Sequence, residues 1–278
     1  MYIIVILILL IYFVIKFIKK DKNLSNKKYD IIYSILFHQK IDYVNNCIEN
    51  INKYNKNNKF LIIAHLSDEL YKNKNLLNKK NVIINPIHFN KKKRNKTILK
   101  AIIDNFEFLK NNKINYNYCM TLSSTNRFVR QTPKFKKENL KNIFSKIDFP
   151  YNKMIQKNKL SKYKNIYDIF KKYNMNIEIG QVSGRLFNKD LIDYICYLTK
   201  KYKILNKNKI YDNFIEEIWL PTLSTHYLKQ KQKSYCHIMI GKSKLIINEF
   251  NKVLNDLQSV FLLKKFPEDL NHPIYKLI

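Results

Sequence analysis

Short apolar runs alternate along this chain with longer stretches in which apolar residues recur every three or four positions. Ile31–Phe37 is apolar or aromatic except at Ser34, which predicts a strand buried on both faces. Phe60–His65, Val82–Ile87 and Tyr116–Leu122 repeat that pattern. Between them, Ile41, Val44, Cys47, Ile48 and Ile51 fall on one helical face, as do Ile98, Leu99, Ile102, Ile103, Phe106 and Leu109. Buried strands alternating with amphipathic helices predict the α/β class, with a mostly parallel sheet flanked by helices. Such sheets take ligands beyond the carboxyl ends of their strands. The polar residues at those ends are His38–Gln39, the stretch from His65 to Asp68, and Ser123 to Arg127 with Asn126 between them.

The second half is patterned less regularly. Phe149 to Asn176 is polar and lysine-rich and predicts an insertion or long loop over the sheet. Gly180-Gln-Val-Ser-Gly184 follows, then a helix from Lys189 to about Lys201 and another from Asn213 to Leu220, reaching Pro221. Cys236–Ile240 and Ser259–Leu263 read as strands around a helix near Leu245–Leu257.

The N-terminus has a different character. Tyr2 to Ile15 is continuously apolar, and Phe17–Ile18 extends it past Lys16, about the length a spanning helix needs. There is no basic start and no small-residue cleavage site, so an uncleaved anchor is expected rather than a signal peptide. This divides the chain into a transmembrane anchor (1–20), a basic linker (21–29) and one domain (30–278), a single-pass membrane protein. Lysines follow the apolar segment and none precedes it, which by the positive-inside rule leaves the domain on the cytoplasmic side.

Charge changes the picture less than its size suggests. The formal net charge is +31, but only Arg94, Arg127, Arg130 and Arg185 are arginines. Readers of phosphate and bases favour Arg for its forked donors. The lysines are spread along the chain and travel with abundant Asn, Ile, Tyr and Phe, as in a chain from an AT-rich coding sequence. A solvated basic surface is therefore expected, and no specific nucleic-acid partner. Cys47, Cys119, Cys196 and Cys236 are far apart and form no zinc-type spacing, so buried free thiols are expected.

Several chemistries are excluded by residues the chain lacks. With 3 Gly there is no phosphate-cradling loop of closely spaced glycines and no dinucleotide fingerprint. There is no HExxH and no Asp-x-Asp to hold a cation on a sugar diphosphate, so neither metal nor cofactor is expected. Two features stand out. Glu216 and Glu217 are adjacent acids in an acid-poor chain, beside its only tryptophan, Trp219. A carboxylate against apolar surface is a stronger base than one in water. Lys264 and Lys265 emerge together from a strand-like segment.

Taken in order, five segments resemble the core-2/I-branching β-1,6-N-acetylglucosaminyltransferase-like family. Phe60–Asp68 is similar to its early strand ending in a His and an Asp, and Tyr118–Val129 to its "inLSgqDyPl" stretch. Gly180–Phe187, followed by Asp190–Ile195, is similar to "GSqweGlf…el…yi", Glu216–Leu223 to "DEhfwaTl", and Phe261–Phe266 to "faRKF". The resemblance implies a GT-A-like, Rossmann-like fold and metal-independent inverting transfer from a UDP-sugar to a glycan or glycoprotein acceptor. It implies the base at Glu217, a diphosphate-binding cation at Lys265, a second at Lys242, and substrate contacts among Lys264, His65, Asp68, Ser123, Asn126, Arg127, Gly184, Glu216 and Trp219. It also implies a Golgi- or ER-type lumen, opposite to the side the lysines indicate. The chain departs from the family at Thr125–Asn126, where an Asp-containing turn is usual, and at Ser183, where a Glu precedes the glycine. A noncatalytic tethered binder on the same fold, and a basic nucleic-acid-binding protein, are the competing readings.

Overall fold

The structure, a computed structural model, describes residues 27–89, 97–135, 164–206, 215–230, 236–238, 247–248, 250–252, 255, 262–264 and 266–278. Its central element is β1 (Lys28–Phe37), which pairs in parallel with β2 (Phe60–Leu66) on one side and β4 (Asn115–Ser123) on the other. β3 (Val82–Ile84) extends the sheet beyond β2, and β6 (Leu186–Phe187) adds an antiparallel edge beside β4. The order is β3-β2-β1-β4-β6. The domain is therefore mixed α/β with a mostly parallel sheet, as the alternating pattern predicts.

The apolar run of β1 is explained by burial on both faces. Ile31, Tyr33, Ile35 and Phe37 point to one side, where they meet Val44, Cys47, Ile48 and Ile51 of α1 (Ile41–Tyr54). Ile32 points to the other, into a core shared with α3 (Thr97–Asn111), α5 (Lys189–Lys201) and α6 (Glu216–Leu228). The period of two along a strand sorts these residues between layers. A short helix, α2 (Asp68–Lys72), follows β2, capped by Ser67, whose side chain accepts from the Leu70 amide.

Two expectations are corrected. The polar stretch before Gly180 contains a helix, α4 (Lys164–Lys172), which buries Ile166, Ile169 and Phe170 against the core formed with α5 and α6. The helix expected to reach Pro221 runs through it to Leu228. Proline has no amide proton, so it cannot donate to the carbonyl four residues earlier, which belongs to Glu217. Here that carbonyl accepts from the Gly180 amide at 2.9 Å instead, so the buried acceptor is satisfied from outside the helix.

A second sheet is ordered β5-β8-β7. β5 (Arg127–Phe128) lies antiparallel to β8 (Leu262–Lys264), and β8 is parallel to β7 (Cys236–Ile238). All four cysteines are free and buried, as expected. No helix among the described residues is long and apolar enough to cross a membrane; the expected anchor, residues 1–20, lies outside them.

Candidate active site

The sheet register brings the carboxyl ends of three strands level. Leu36 of β1 faces both His65 of β2 and Ser123 of β4. The path of the chain beyond each strand decides which polar residues share a crevice.

After β4 the chain turns tightly. The Asn126 side chain accepts from the Ser123 amide at 2.5 Å, and the Asn126 amide donates to the Ser123 carbonyl at 3.0 Å. Across β4, the segment from Gly180 to Arg185 is fastened to Thr121. The Thr121 hydroxyl donates to the Val182 carbonyl at 2.6 Å, and the Gly184 amide to the Thr121 carbonyl at 2.6 Å. Gly184 has φ 80°, so the turn into β6 requires the freedom of glycine. The Ser183 hydroxyl then donates to the Asn126 side-chain oxygen at 3.1 Å. Asn126 and Ser183 thus tie the turn after β4 to the loop before β6.

The first turn of α6 closes this region from a third side. Thr222 accepts from the Glu178 amide and donates to the Glu178 carbonyl, both at 3.0 Å, so residues 178–180 run along α6. With the Gly180 to Glu217 bond, the acid pair is locked beside the loop that carries Ser183 and Gly184. Glu216 and Glu217 are each only 7% exposed. Burial raises the pKa of Glu216, and the Lys264 ammonium pulls it down. The same ammonium acts on Cys236. Lys264, at the end of β8, thus acts electrostatically on Glu216.

A third polar group was not anticipated. Arg185 is 6% exposed, and its Nε donates to the Gln181 carbonyl at 2.6 Å. Burial lowers the guanidinium pKa to about 10, and Glu178 opposes the shift. A methyl group built on Gly180 would lie 2.6 Å from its Nη2. Gly180→Ala is therefore expected to destabilise the domain by roughly 1–2 kcal/mol, since a buried, anchored guanidinium has little room to retreat. Denaturant unfolding checks this; an unchanged midpoint would mean that Arg185 moves aside freely. The signal in the sequence was the residue type: an arginine in a chain that otherwise uses lysine almost everywhere.

Other anticipated contacts are used elsewhere. His65 is fully buried under α3, its Nδ1 donating to the Ala101 carbonyl at 3.1 Å. Its Nε2 is 4.0 Å from the Asp104 carboxylate and has no hydrogen-bond partner among the described residues. Burial lowers its pKa, which keeps it neutral at physiological pH. Asp68 bonds the ring of His88 at 2.5 Å on α2, at the β3 side of the sheet. β2 is two strands from β4, about 10 Å across the sheet, and neither residue contacts the acid pair among the described bonds.

Arg127 is 0% exposed and clamps the loop in which it sits. It donates to the carbonyls of Ser124 at 2.9 Å, Asn126 at 2.8 Å and Tyr43 at 3.5 Å, and to the Asn46 side chain at 3.2 Å. Its guanidinium also lies 4.4 Å from the Tyr43 ring centroid. Trp219 is likewise core: 0% exposed, stacked on Phe170, with its indole donating to Thr199 at 2.9 Å. Lys265 and Lys242 lie outside the described residues. Among the described residues no three His, Cys, Asp or Glu side chains cluster as metal ligands would. A cleft of about 530 Å³ between α3 and α5, lined by Asp104, Glu107, Lys200 and Lys203 among others, includes none of the anticipated residues.

No protein-family model matches this chain, and no curated protein does. Among solved structures it is similar to the apo-form glycosyltransferase GlyE of Streptococcus pneumoniae TIGR4, at 10% identity and a TM-score of 0.36. The match covers 87% of this chain and 55% of that one, so the chain spans about half the length of the structure it matches.

Proposed function

We propose that this chain is an inverting glycosyltransferase that moves a sugar, N-acetylglucosamine by its family resemblance, from a UDP-sugar to a hydroxyl of a glycan or glycoprotein. The observation that carries the reading is a buried acid pair, with Glu216 in the field of the Lys264 ammonium, beside loops at the carboxyl edge of a parallel sheet.

Each group has a task in that reaction. The acceptor hydroxyl gives its proton to the Glu217 carboxylate as its oxygen bonds to the anomeric carbon. The bond from that carbon to the diphosphate oxygen breaks on the opposite face, and UDP leaves with the electron pair. Lys264 and Lys265 supply positive charge to the departing diphosphate. Glu216, buried and within the field of Lys264, tunes the charge there rather than taking the proton. With lysines in this role, the reaction needs no divalent cation.

The test is a thermal-shift titration of residues 27–278 with UDP and UDP-sugars, with and without EDTA. Stabilisation that grows with UDP concentration and is indifferent to chelator is expected. Stabilisation abolished by EDTA would contradict the role given to the lysines, and none with any nucleotide would contradict the whole reading.

A further inference from the structure

We propose that Asn126 is a positioning residue: its single side chain holds β8, and with it Lys264, in register with the loops around the acid pair. The inference rests on the transferase reading only for what Lys264 does, not for how it is held.

Asn126 is 3% exposed, and its carboxamide is fully used. Such a group has two donor and two acceptor sites. The oxygen accepts from the Ser123 amide at 2.5 Å and from the Ser183 hydroxyl at 3.1 Å. The nitrogen donates to the Leu263 carbonyl at 3.2 Å and to Cys236 Sγ at 3.0 Å. The bonds also fix which way the amide points, because a backbone N–H must face the oxygen and a carbonyl must face the nitrogen. One residue thereby joins the end of β4, the loop before β6, and both β7 and β8. Phe266 adds a parallel tie, its amide donating to the Thr125 carbonyl at 3.2 Å.

The geometry gives a reason for asparagine rather than aspartate at this position. A carboxylate can accept from Ser123 and Ser183 but has no proton for the Leu263 carbonyl. It would set a negative charge against a carbonyl dipole and a buried sulfur. β8 is the middle strand of the second sheet, between the two-residue β5 and β7, and pairs with no strand of the main sheet among the described residues. Losing the Asn126 donors should free β8 locally while β1, β2 and β4 stay paired.

The experiment compares wild type with Asn126→Asp and with Asn126→Ser, which replaces the two amide N–H donors by one shorter hydroxyl without adding charge. Hydrogen exchange is followed by peptide, alkylation of Cys236 by iodoacetamide with peptide mapping, and UDP affinity by titration. In both variants the peptide covering 262–264 should lose protection and Cys236 should alkylate about tenfold faster or more, since a local opening is no longer held by a buried bond. The peptides of β1 and β2 should stay protected, and UDP affinity should fall about tenfold as the ammonium loses its fixed position. Unchanged protection at 262–264 and Cys236 would overturn the proposal. So would loss of protection throughout β1 to β4, which would make Asn126 a general core residue, and so would release of β8 with UDP affinity intact. If wild type itself binds no UDP, the transferase reading falls, while exchange and alkylation still decide whether Asn126 holds β8.

Discussion

Glu217→Gln should lower sugar-transfer turnover by about 100-fold or more while leaving UDP affinity within a few-fold of wild type. The substitution keeps shape and polarity and removes only the capacity to accept a proton. Glu217 is held by its backbone as well as by burial: its carbonyl takes the Gly180 amide that Pro221 cannot replace. The amide variant should therefore occupy the same place, so a drop in turnover would report chemistry rather than misfolding. In the proposed reaction donor binding belongs to Lys264 and Lys265 and should persist. A noncatalytic binder on this scaffold predicts the opposite, with no turnover in either protein and an identical binding phenotype. Steady-state transfer assays on both proteins, with UDP titrations alongside, separate the two.

Arg127→Met should destabilise the domain by about 3–4 kcal/mol, a large share of the roughly 5–15 kcal/mol that holds a domain together. Methionine can fill part of the volume beside Tyr43. It cannot donate to the Ser124, Asn126 and Tyr43 carbonyls, all of which Arg127 reaches. Each buried acceptor left without a donor costs about 1–3 kcal/mol, less whatever relaxation recovers. A lysine would satisfy fewer of them, because the fan of contacts uses the forked guanidinium. Urea unfolding monitored by circular dichroism gives the number; a loss below about 1 kcal/mol would show that these carbonyls find water or other donors easily. Any loss of activity should then parallel loss of fold, in contrast to Glu217→Gln.

These two residues also mark what could and could not be read from the chain. The β1–β4 framework was legible because strands buried on both faces leave unbroken apolar runs, and because α1, α3 and α5 show clean helical stripes. The α5 limits fall at Lys189 and Lys201 as expected. α4 was hidden because Ile166, Ile169 and Phe170 form a narrow buried stripe among Lys, Asn and Tyr. The end of α6 was misjudged because proline is a helix breaker only where the carbonyl it abandons has no other donor. Position alone suggests that His65 and Arg127 at strand ends, and Trp219 beside the acid pair, face a crevice, but all three are buried in other contacts. His65 turns under α3, Arg127 ties down the loop it sits in, and Trp219 fills the core. Which way such a side chain faces depends on the helix packed above it, and spacing along a strand does not encode that. The acid pair was legible by its rarity, whereas Asn126 and Arg185 became visible only through their partners.

The most direct measurement is a calorimetric titration of UDP into residues 27–278, wild type against Lys264→Gln, in EDTA throughout. Wild type should bind, and the variant should lose about tenfold or more in affinity with folding stability little changed, because Lys264 is half-buried and, in the proposed reaction, supplies charge to the diphosphate. Equal affinity in the two proteins, or no UDP binding by wild type, would contradict the proposed reaction.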